Sequence, residues 1–190
     1  MAKIENPEQL LVKIAAILER LKVKYLVTGG FAVSVWGRPR ATFDIDIIVY
    51  IFESGIDALL RDLKKIGKSI YIDEETARVA ARDGRGGFNL IDSGTGLKVD
   101  FFSAGSHEFM RAQLKRRKEK VIDGQKVSFI SPEDLILNKL KWYKESNSSL
   151  QLDDVKSIFK ISGEKLDKKY LEKWAERLGL SEILEKITKF

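Results

Sequence analysis

The fold of this chain is decided by residues 25–50, YLVTGGFAVSVWGRPRATFDIDIIVY. An apolar run leads into Gly29-Gly30, a basic loop follows, and a second apolar run opens with Asp44 and Asp46. This pattern predicts a strand, a glycine turn into a short helix, and a second strand. Alternate residues of a strand point to the same face. If the second strand begins early, four polar residues share one face: Arg40, Thr42, Asp44 and Asp46.

The two aspartates and the two glycines together indicate a chemistry. Asp44 and Asp46 repel each other on one strand face unless a positive charge lies between them, and a divalent cation with oxygen ligands is the usual solution. Gly29 and Gly30, at a strand end and a helix start, offer backbone N–H groups to an anion. Two solvated acids and an ordinary tight turn are the structural alternatives. The combination favours metal-nucleotide chemistry.

A third carboxylate is expected from a neighbouring strand. Asp100, in the segment LKVDFF, is the best candidate because an unpaired charge among apolar neighbours would be costly. Asp92 is the alternative, but it falls at a predicted turn, where Asp is common for structural reasons.

Outward from this stretch, hydrophobic periodicity predicts an α/β (α+β) fold: a mixed sheet flanked by helices, then a helical C-terminal third. The predicted strands are 24–28, 43–51, 69–72, 88–92, 97–102, 118–122 and 126–130. The predicted helices are 6–21, 31–36, 54–66, 73–81, 106–114, 131–144, 150–159, 168–178 and 181–189. We expect a catalytic domain over residues 1–130 and a helical region over residues 131–190 packed on it.

Composition restricts the class of protein. The 190 residues are 44% hydrophobic and include no cysteine, which excludes a disulfide framework and a thiolate metal site. No apolar run is long enough to span a bilayer, and no signal peptide precedes the first predicted helix. We therefore expect a cytoplasmic protein without a membrane partner. The net charge of +6 mildly favours anionic partners such as nucleotides.

These motifs resemble the nucleotidyltransferase superfamily, which includes DNA polymerase beta, aminoglycoside nucleotidyltransferases and nucleotidyltransferase toxins. The superfamily pattern is a glycine turn that opens a helix, an Asp-x-Asp on the next strand and a third acid further on. Here it corresponds to Gly29-Gly30, Asp44-Ile45-Asp46 and Asp100, so the resemblance covers about residues 24–102. RATFDID (40–46) is similar to the toxin-related, stand-alone bacterial branch. Three later segments resemble the helical tail of stand-alone members more loosely: 130–143, 151–158 and 170–179.

The resemblance implies an activity. A nucleoside monophosphate would pass from a nucleoside triphosphate to a hydroxyl, with release of pyrophosphate. Asp44, Asp46 and Asp100 would be the catalytic residues and the ligands of Mg²⁺ or Mn²⁺, with Asp100 helping to deprotonate the attacking hydroxyl. Gly29 and Gly30 would bind the β and γ phosphates.

Three further residues are candidates for nucleotide binding. Arg40 either contacts phosphate or pairs with one of the aspartates, and Thr42 shares the predicted face. Lys139 falls between Leu135 and Trp142 on an otherwise apolar helical face. A lysine there usually extends its ammonium group to solvent, whereas the resemblance implies a lysine that reaches the triphosphate.

The sequence leaves the acceptor open among a small molecule, a protein side chain and an RNA end. A non-catalytic binding module with the same fold, such as an antitoxin or a partner subunit, is the alternative function. A basic cluster is either a solvated face or a surface that attracts RNA: Arg111, Lys115, Arg116, Arg117, Lys118 and Lys120. Apolar residues on the predicted C-terminal helices either form a homodimer interface or cover the sheet.

Overall fold

The computed structural model describes residues 6–42, 44–105 and 107–188. Its strands are β1 (Lys24–Thr28), β2 (Asp44–Tyr50), β3 (Ile70–Ile72), β4 (Gly87–Asp92), β5 (Leu97–Ser103), β6 (Lys118–Ile122) and β7 (Gln125–Phe129). Its helices are α1 (Pro7–Arg20), α2 (Gly29–Trp36), α3 (Glu53–Lys64), α4 (Glu74–Asp83), α5 (Glu108–Arg116), α6 (Pro132–Ser146), α7 (Ser149–Ser162), α8 (Lys168–Arg177) and α9 (Ser181–Thr188).

The seven strands form one mixed sheet in the order β3-β4-β5-β2-β1-β7-β6. β2 runs antiparallel to β1 and parallel to β5, and β1 runs parallel to β7. The hairpins β4–β5 and β6–β7 extend the sheet on its two sides. The predicted mixed sheet flanked by helices, followed by a helical C-terminal third, is confirmed.

Packing divides the chain into two units. The first contains the described residues through Phe31 together with Ala41–Ile130, and thus the whole sheet. The second contains Ala32–Arg40 together with the described residues from Ser131 onward. The sequence-based division assigned Ala32–Arg40 to the first part, whereas its contacts group this segment with the C-terminal helices.

Each unit has its own core. In the first, α1 packs on β1, β2, β7 and α3, while α4 packs on α3 and β4. The odd-numbered residues along the two central parallel strands are buried: Ile45, Ile47, Val49, Leu97, Val99 and Phe101. In the second, α6 packs on α7 and α8, and α8 packs on α9. In neither unit does a described helix have the length and apolar character needed to cross a membrane.

Two helix starts follow directly from local chemistry. The Asn6 side chain accepts a hydrogen bond from the Gln9 N–H group (2.9 Å), and Pro7 occupies the first turn of α1. The Ser131 hydroxyl accepts from the Asp134 N–H group (3.2 Å) at the start of α6. Side-chain caps of this kind satisfy N–H groups that the helix leaves without partners.

Several predicted boundaries are wrong. β2 begins at Asp44, so Arg40 and Thr42 lie in the preceding loop and not on the strand face. α2 begins at Gly29 and therefore includes the glycine pair, and α3 ends at Lys64, before Gly67. The predicted ends at Phe43, Ser106 and Lys189 lie outside the described residues.

Candidate active site

Three carboxylates lie on one face of the sheet in the first unit. Asp44 and Asp46 are two positions apart on β2, and Asp46 is the register partner of Asp100 on the parallel strand β5. Paired residues of neighbouring strands project to the same face. The structure therefore brings together the three acids that the sequence selected, from strands more than 50 positions apart along the chain.

A polar row crosses four adjacent strands at this level. Thr28 pairs with Asp46, Asp46 with Asp100, and Asp100 with Asn89. With its NH₂ group turned toward Asp100, the Asn89 amide donates a hydrogen bond to Asp100 Oδ1 over 2.8 Å. The sequence analysis missed Asn89 because only the β4–β5 register shows that Asn89 lies opposite Asp100.

Lys98 is the second residue that the sequence analysis missed. Its Nζ lies 2.9 Å from Asp100 Oδ1, and its register partner on β2 is Asp44. The hydrogen bond to Asp100 raises the pKa of Lys98, and the charges of Asp100, Asp44 and Asp46 add to this against the opposing effect of burial. A lysine two positions before an acid on a strand shares its face, which is the signal that could have found it.

The glycine pair lies against Asp46 and Thr42. Gly29 has a φ of +64°, and a Cβ at this position would overlap the Asp46 carboxylate. A Cβ at Gly30 would overlap the Thr42 side chain, whose hydroxyl donates to the Asp44 carbonyl over 3.2 Å. Gly29 thus combines a backbone conformation that disfavours side chains with a close approach that excludes them.

The donor set fits a hard divalent cation by its chemistry, because carboxylate oxygens are the ligands that Mg²⁺ and Mn²⁺ prefer. Within residues 6–42, 44–105 and 107–188, however, no three His, Cys, Asp or Glu side chains are arranged around one possible metal position. In this conformation the Asp100 carboxylate is turned toward Lys98 and Asn89.

Arg40 and Lys139, the predicted nucleotide ligands of the second unit, meet at Asp154. Arg40 Nε and Nη2 donate to the two Asp154 oxygens over 2.9 and 3.0 Å, and Lys139 Nζ lies 2.8 Å from Asp154 Oδ2. Lys139 is 7% exposed and Asp154 3% exposed. The lysine is therefore buried in an ion pair and does not extend to solvent. Arg40 pairs with an aspartate, although not with the two considered from the sequence.

Electrostatics hold this cluster in its charged form. Burial by itself would raise the pKa of Asp154, but hydrogen bonds from Arg40 and Lys139, and the charges of both, outweigh it and lower that pKa. The hydrogen bond to Asp154 raises the pKa of Arg40. The sequence analysis assigned no role to Asp154, since its partner Arg40 is 114 positions away.

Two other candidates occupy ordinary positions. Asp92 is 2% exposed and accepts hydrogen bonds from the Gly94 N–H group (3.0 Å), the Thr95 hydroxyl (2.9 Å) and Ser69, which is the structural alternative considered for it. The basic cluster lies on α5, on β6 and between them. Its attraction for RNA stays a prediction.

A mixed sheet that presents two acids from one strand and a third from its parallel neighbour, beside a glycine turn, is the arrangement expected of a nucleotidyltransferase. Solved structures agree on the fold. ANT(2'')-Ia in complex with adenylyl-2''-tobramycin matches with a TM-score of 0.62 at 15% identity, over 90% of this chain and 95% of that one. The lincomycin-bound lincosamide antibiotic adenylyltransferase LnuA matches with a TM-score of 0.53 at 18% identity, over 83% and 99%. An antigenic nucleotidyltransferase-like protein from Paracoccidioides brasiliensis matches with a TM-score of 0.55 at 22% identity, over 80% and 74%.

The family follows from the sequence itself. Residues 10–166 match the model of the aminoglycoside-2''-adenylyltransferase family, and the chain belongs to that family. No curated protein sequence matches the chain significantly. The predicted membership in the nucleotidyltransferase superfamily is confirmed, and a relation to its toxins stays a prediction.

Proposed function

We propose that this nucleotidyltransferase is metal-dependent and transfers a nucleoside monophosphate from a nucleoside triphosphate to a hydroxyl of a small molecule. The observation that carries the proposal is the register of Asp46 with Asp100, with Asp44 on the same face and Gly29 against Asp46. Membership in an adenylyltransferase family supports ATP as the nucleotide.

The first unit supplies the groups for this reaction. Asp44, Asp46 and Asp100 would hold Mg²⁺ or Mn²⁺, and such a cation, when bound, neutralises charge on the attacking and leaving oxygens. The backbone N–H groups at Gly29 and Gly30 bind phosphate oxygens at the start of a helix. Asp100 accepts the proton of the acceptor hydroxyl. The hydroxyl oxygen bonds to the α-phosphorus, the bond from that phosphorus to its bridging oxygen breaks, and pyrophosphate leaves.

The acceptor we propose is a small hydroxylated molecule. The solved relatives support this class, since one is in complex with adenylyl-2''-tobramycin and another is bound to lincomycin. A protein side chain and an RNA end are the other acceptors to be tested.

Arg40 and Lys139 remain proposed phosphate ligands. Both cations contact the Asp154 carboxylate; the Lys139 and Asp154 side chains are buried, whereas that of Arg40 is 30% exposed. A guanidinium and an ammonium group held at one place suit a phosphate-bearing ligand.

The first test is calorimetric titration of each of the four nucleoside triphosphates, with and without Mg²⁺, into the wild type and into Asp44→Ala/Asp46→Ala. We expect Mg²⁺-dependent binding, tightest for ATP, that the double variant loses. Asp57→Ala is the control, because Asp57 is an exposed acid of α3 that pairs with Arg78, and its loss should leave binding unchanged.

Retained binding in the folded double variant would contradict the site. Failure of the folded wild type to bind any nucleotide would favour the non-catalytic binding module, and the search would turn to a partner protein that purifies with it.

A further inference from the structure

We propose that Lys98 is a built-in counter-cation of the carboxylate face: it holds Asp100 in the cation-free protein and is displaced from Asp100 when a divalent cation binds. Lys98 is thus a positioning residue, one that acts through Asp100. The inference rests on the proposed metal-dependent function, and it concerns how the site is kept ready before the cation arrives.

The contact itself is specific. Lys98 Nζ lies 2.9 Å from Asp100 Oδ1, the same oxygen that accepts the Asn89 amide. Two donors on one oxygen fix the orientation of the carboxylate. Asp100 is the register partner of Asp46, so Lys98 and Asn89 orient the Asp100 carboxylate directly beside the Asp46 position.

The charges explain why a lysine is needed. Asp44, Asp46 and Asp100 put three negative charges on one face of two adjacent strands, where like charges at paired positions destabilise a sheet. Lys98 is the register partner of Asp44 and the ion-pair partner of Asp100, so it lies among all three. A lysine in that place reduces the repulsion without a metal.

The same location makes Lys98 a competitor of the metal. A divalent cation that binds Asp100 would share the carboxylate with the Lys98 ammonium group, and the like charges of the two cations would repel each other. The Lys98 side chain is 39% exposed and that of Asp100 is 18% exposed. A flexible four-carbon stem that already reaches solvent can move its ammonium group away at small cost.

The test is calorimetric titration of Mn²⁺ alone, without nucleotide, into the wild type, Lys98→Met, Lys98→Arg and Lys126→Met. We expect Lys98→Met to bind Mn²⁺ about tenfold more tightly than the wild type, because the competing charge is gone. Lys98→Arg keeps that charge and should stay within about twofold of the wild type. Lys126→Met is the matched control: Lys126 also lies on a strand beside an acid, Glu119, but at 3.6 Å and with both side chains largely exposed.

A second measurement does not depend on metal affinity. In buffer with a chelator, Lys98→Met should melt at a lower temperature than the wild type, because the carboxylate face loses the positive charge paired with Asp100, and Lys126→Met should not. Added Mn²⁺ should then raise the melting temperature of Lys98→Met more than that of the wild type. Should Lys98→Met fail to fold, Lys98→Gln serves the same comparison.

Asp46→Asn separates the possible failures. If the wild type binds Mn²⁺, Asp46→Asn abolishes that binding and Lys98→Met matches the wild type, then the metal site stands and the Lys98 proposal is overturned. If neither the wild type nor Lys98→Met binds Mn²⁺, the metal dependence of the proposed function fails, and the Lys98 proposal fails with it.

Discussion

At the scale of single residues, Asp154 is one carboxylate that pairs with two cations. It receives both Arg40 and Lys139 and is almost fully buried. A buried charge pair of this kind adds modest net stability, but removal of one partner is costly because it leaves the other charge buried and uncompensated. Here a single change would remove the carboxylate that both cations contact.

Asp154→Asn should therefore lower the free energy of unfolding by about 3 kcal/mol. Urea unfolding at neutral pH measures this loss. The control is Asp153→Asn, the preceding residue on the same helix, which is exposed and should change stability by less than about 0.5 kcal/mol. Equal midpoints for the two variants would show that the cluster contributes little.

The lowered pKa of Asp154 sets the pH dependence of this difference. The unfolded protein binds the Asp154 proton more readily than the folded one, so the stabilisation is present above the ordinary carboxyl pKa of 3.8 and is lost as the pH falls below it, through the lowered pKa. We expect the stability gap between the wild type and Asp154→Asn to be constant near neutrality and to shrink below about pH 4. A gap that widens in acid would contradict the assignment.

At the scale of elements, the junction of β1 and α2 couples a turn to a carboxylate. Gly29 begins α2 with a φ of +64°, and the space where a Cβ would lie is taken by Asp46 from the neighbouring strand. The glycine turn and the Asp-x-Asp strand are therefore in close contact, and a side chain added to the turn should move the Asp46 carboxylate.

Gly29→Ala should abolish Mg²⁺-dependent nucleotide binding, because the new methyl group would displace the Asp46 carboxylate. The matched control is Gly124→Ala in the β6–β7 turn: Gly124 has a φ of +78°, and its Cβ would meet nothing within 4 Å. It therefore carries only the strain of positive φ, about 1 kcal/mol. Calorimetry with ATP and Mg²⁺ measures the binding, and thermal unfolding measures the stability. Intact binding in Gly29→Ala would refute the coupling.

At the scale of the whole molecule, the sequence predicts what is local. Helix starts and tight turns can be predicted because they depend on hydrogen bonds or dihedral angles within a few positions. Examples are the cap residues Asn6 and Ser131 and the Asp123-Gly124 turn. Asp44 and Asp46 are also visible as a pair, since strand alternation alone puts them on one face.

What the sequence could not provide is the pairing of distant segments. The Asp46–Asp100 register, the Lys98–Asp100 contact and the Arg40–Asp154 pair depend on which strands become neighbours and on how helices pack. Arg40 illustrates the error that results: an early strand start would have put it on the same face as Asp44, but the described strand begins only at Asp44.

Ligand binding should also raise the stability of the protein as a whole. ATP with Mg²⁺ at about 100 times the dissociation constant should stabilise the folded state by about 2.7 kcal/mol, because the ligand binds only that state. The rise in melting temperature should be absent in Asp44→Ala/Asp46→Ala and unchanged in Asp57→Ala. Equal shifts in the wild type and the double variant would indicate that the nucleotide binds elsewhere.

The grouping of Ala32–Arg40 with the C-terminal helices has a consequence for biosynthesis. When the ribosome has made the chain as far as Ile130, all seven strands of the sheet have been synthesised, but Asp154, which pairs with Arg40, has not. The segment that leads into Asp44 must wait for α7, which lies 114 positions downstream at Asp154. A nascent or prematurely terminated chain can therefore contain every acid of the carboxylate face and still lack Asp154, the ion-pair partner of Arg40.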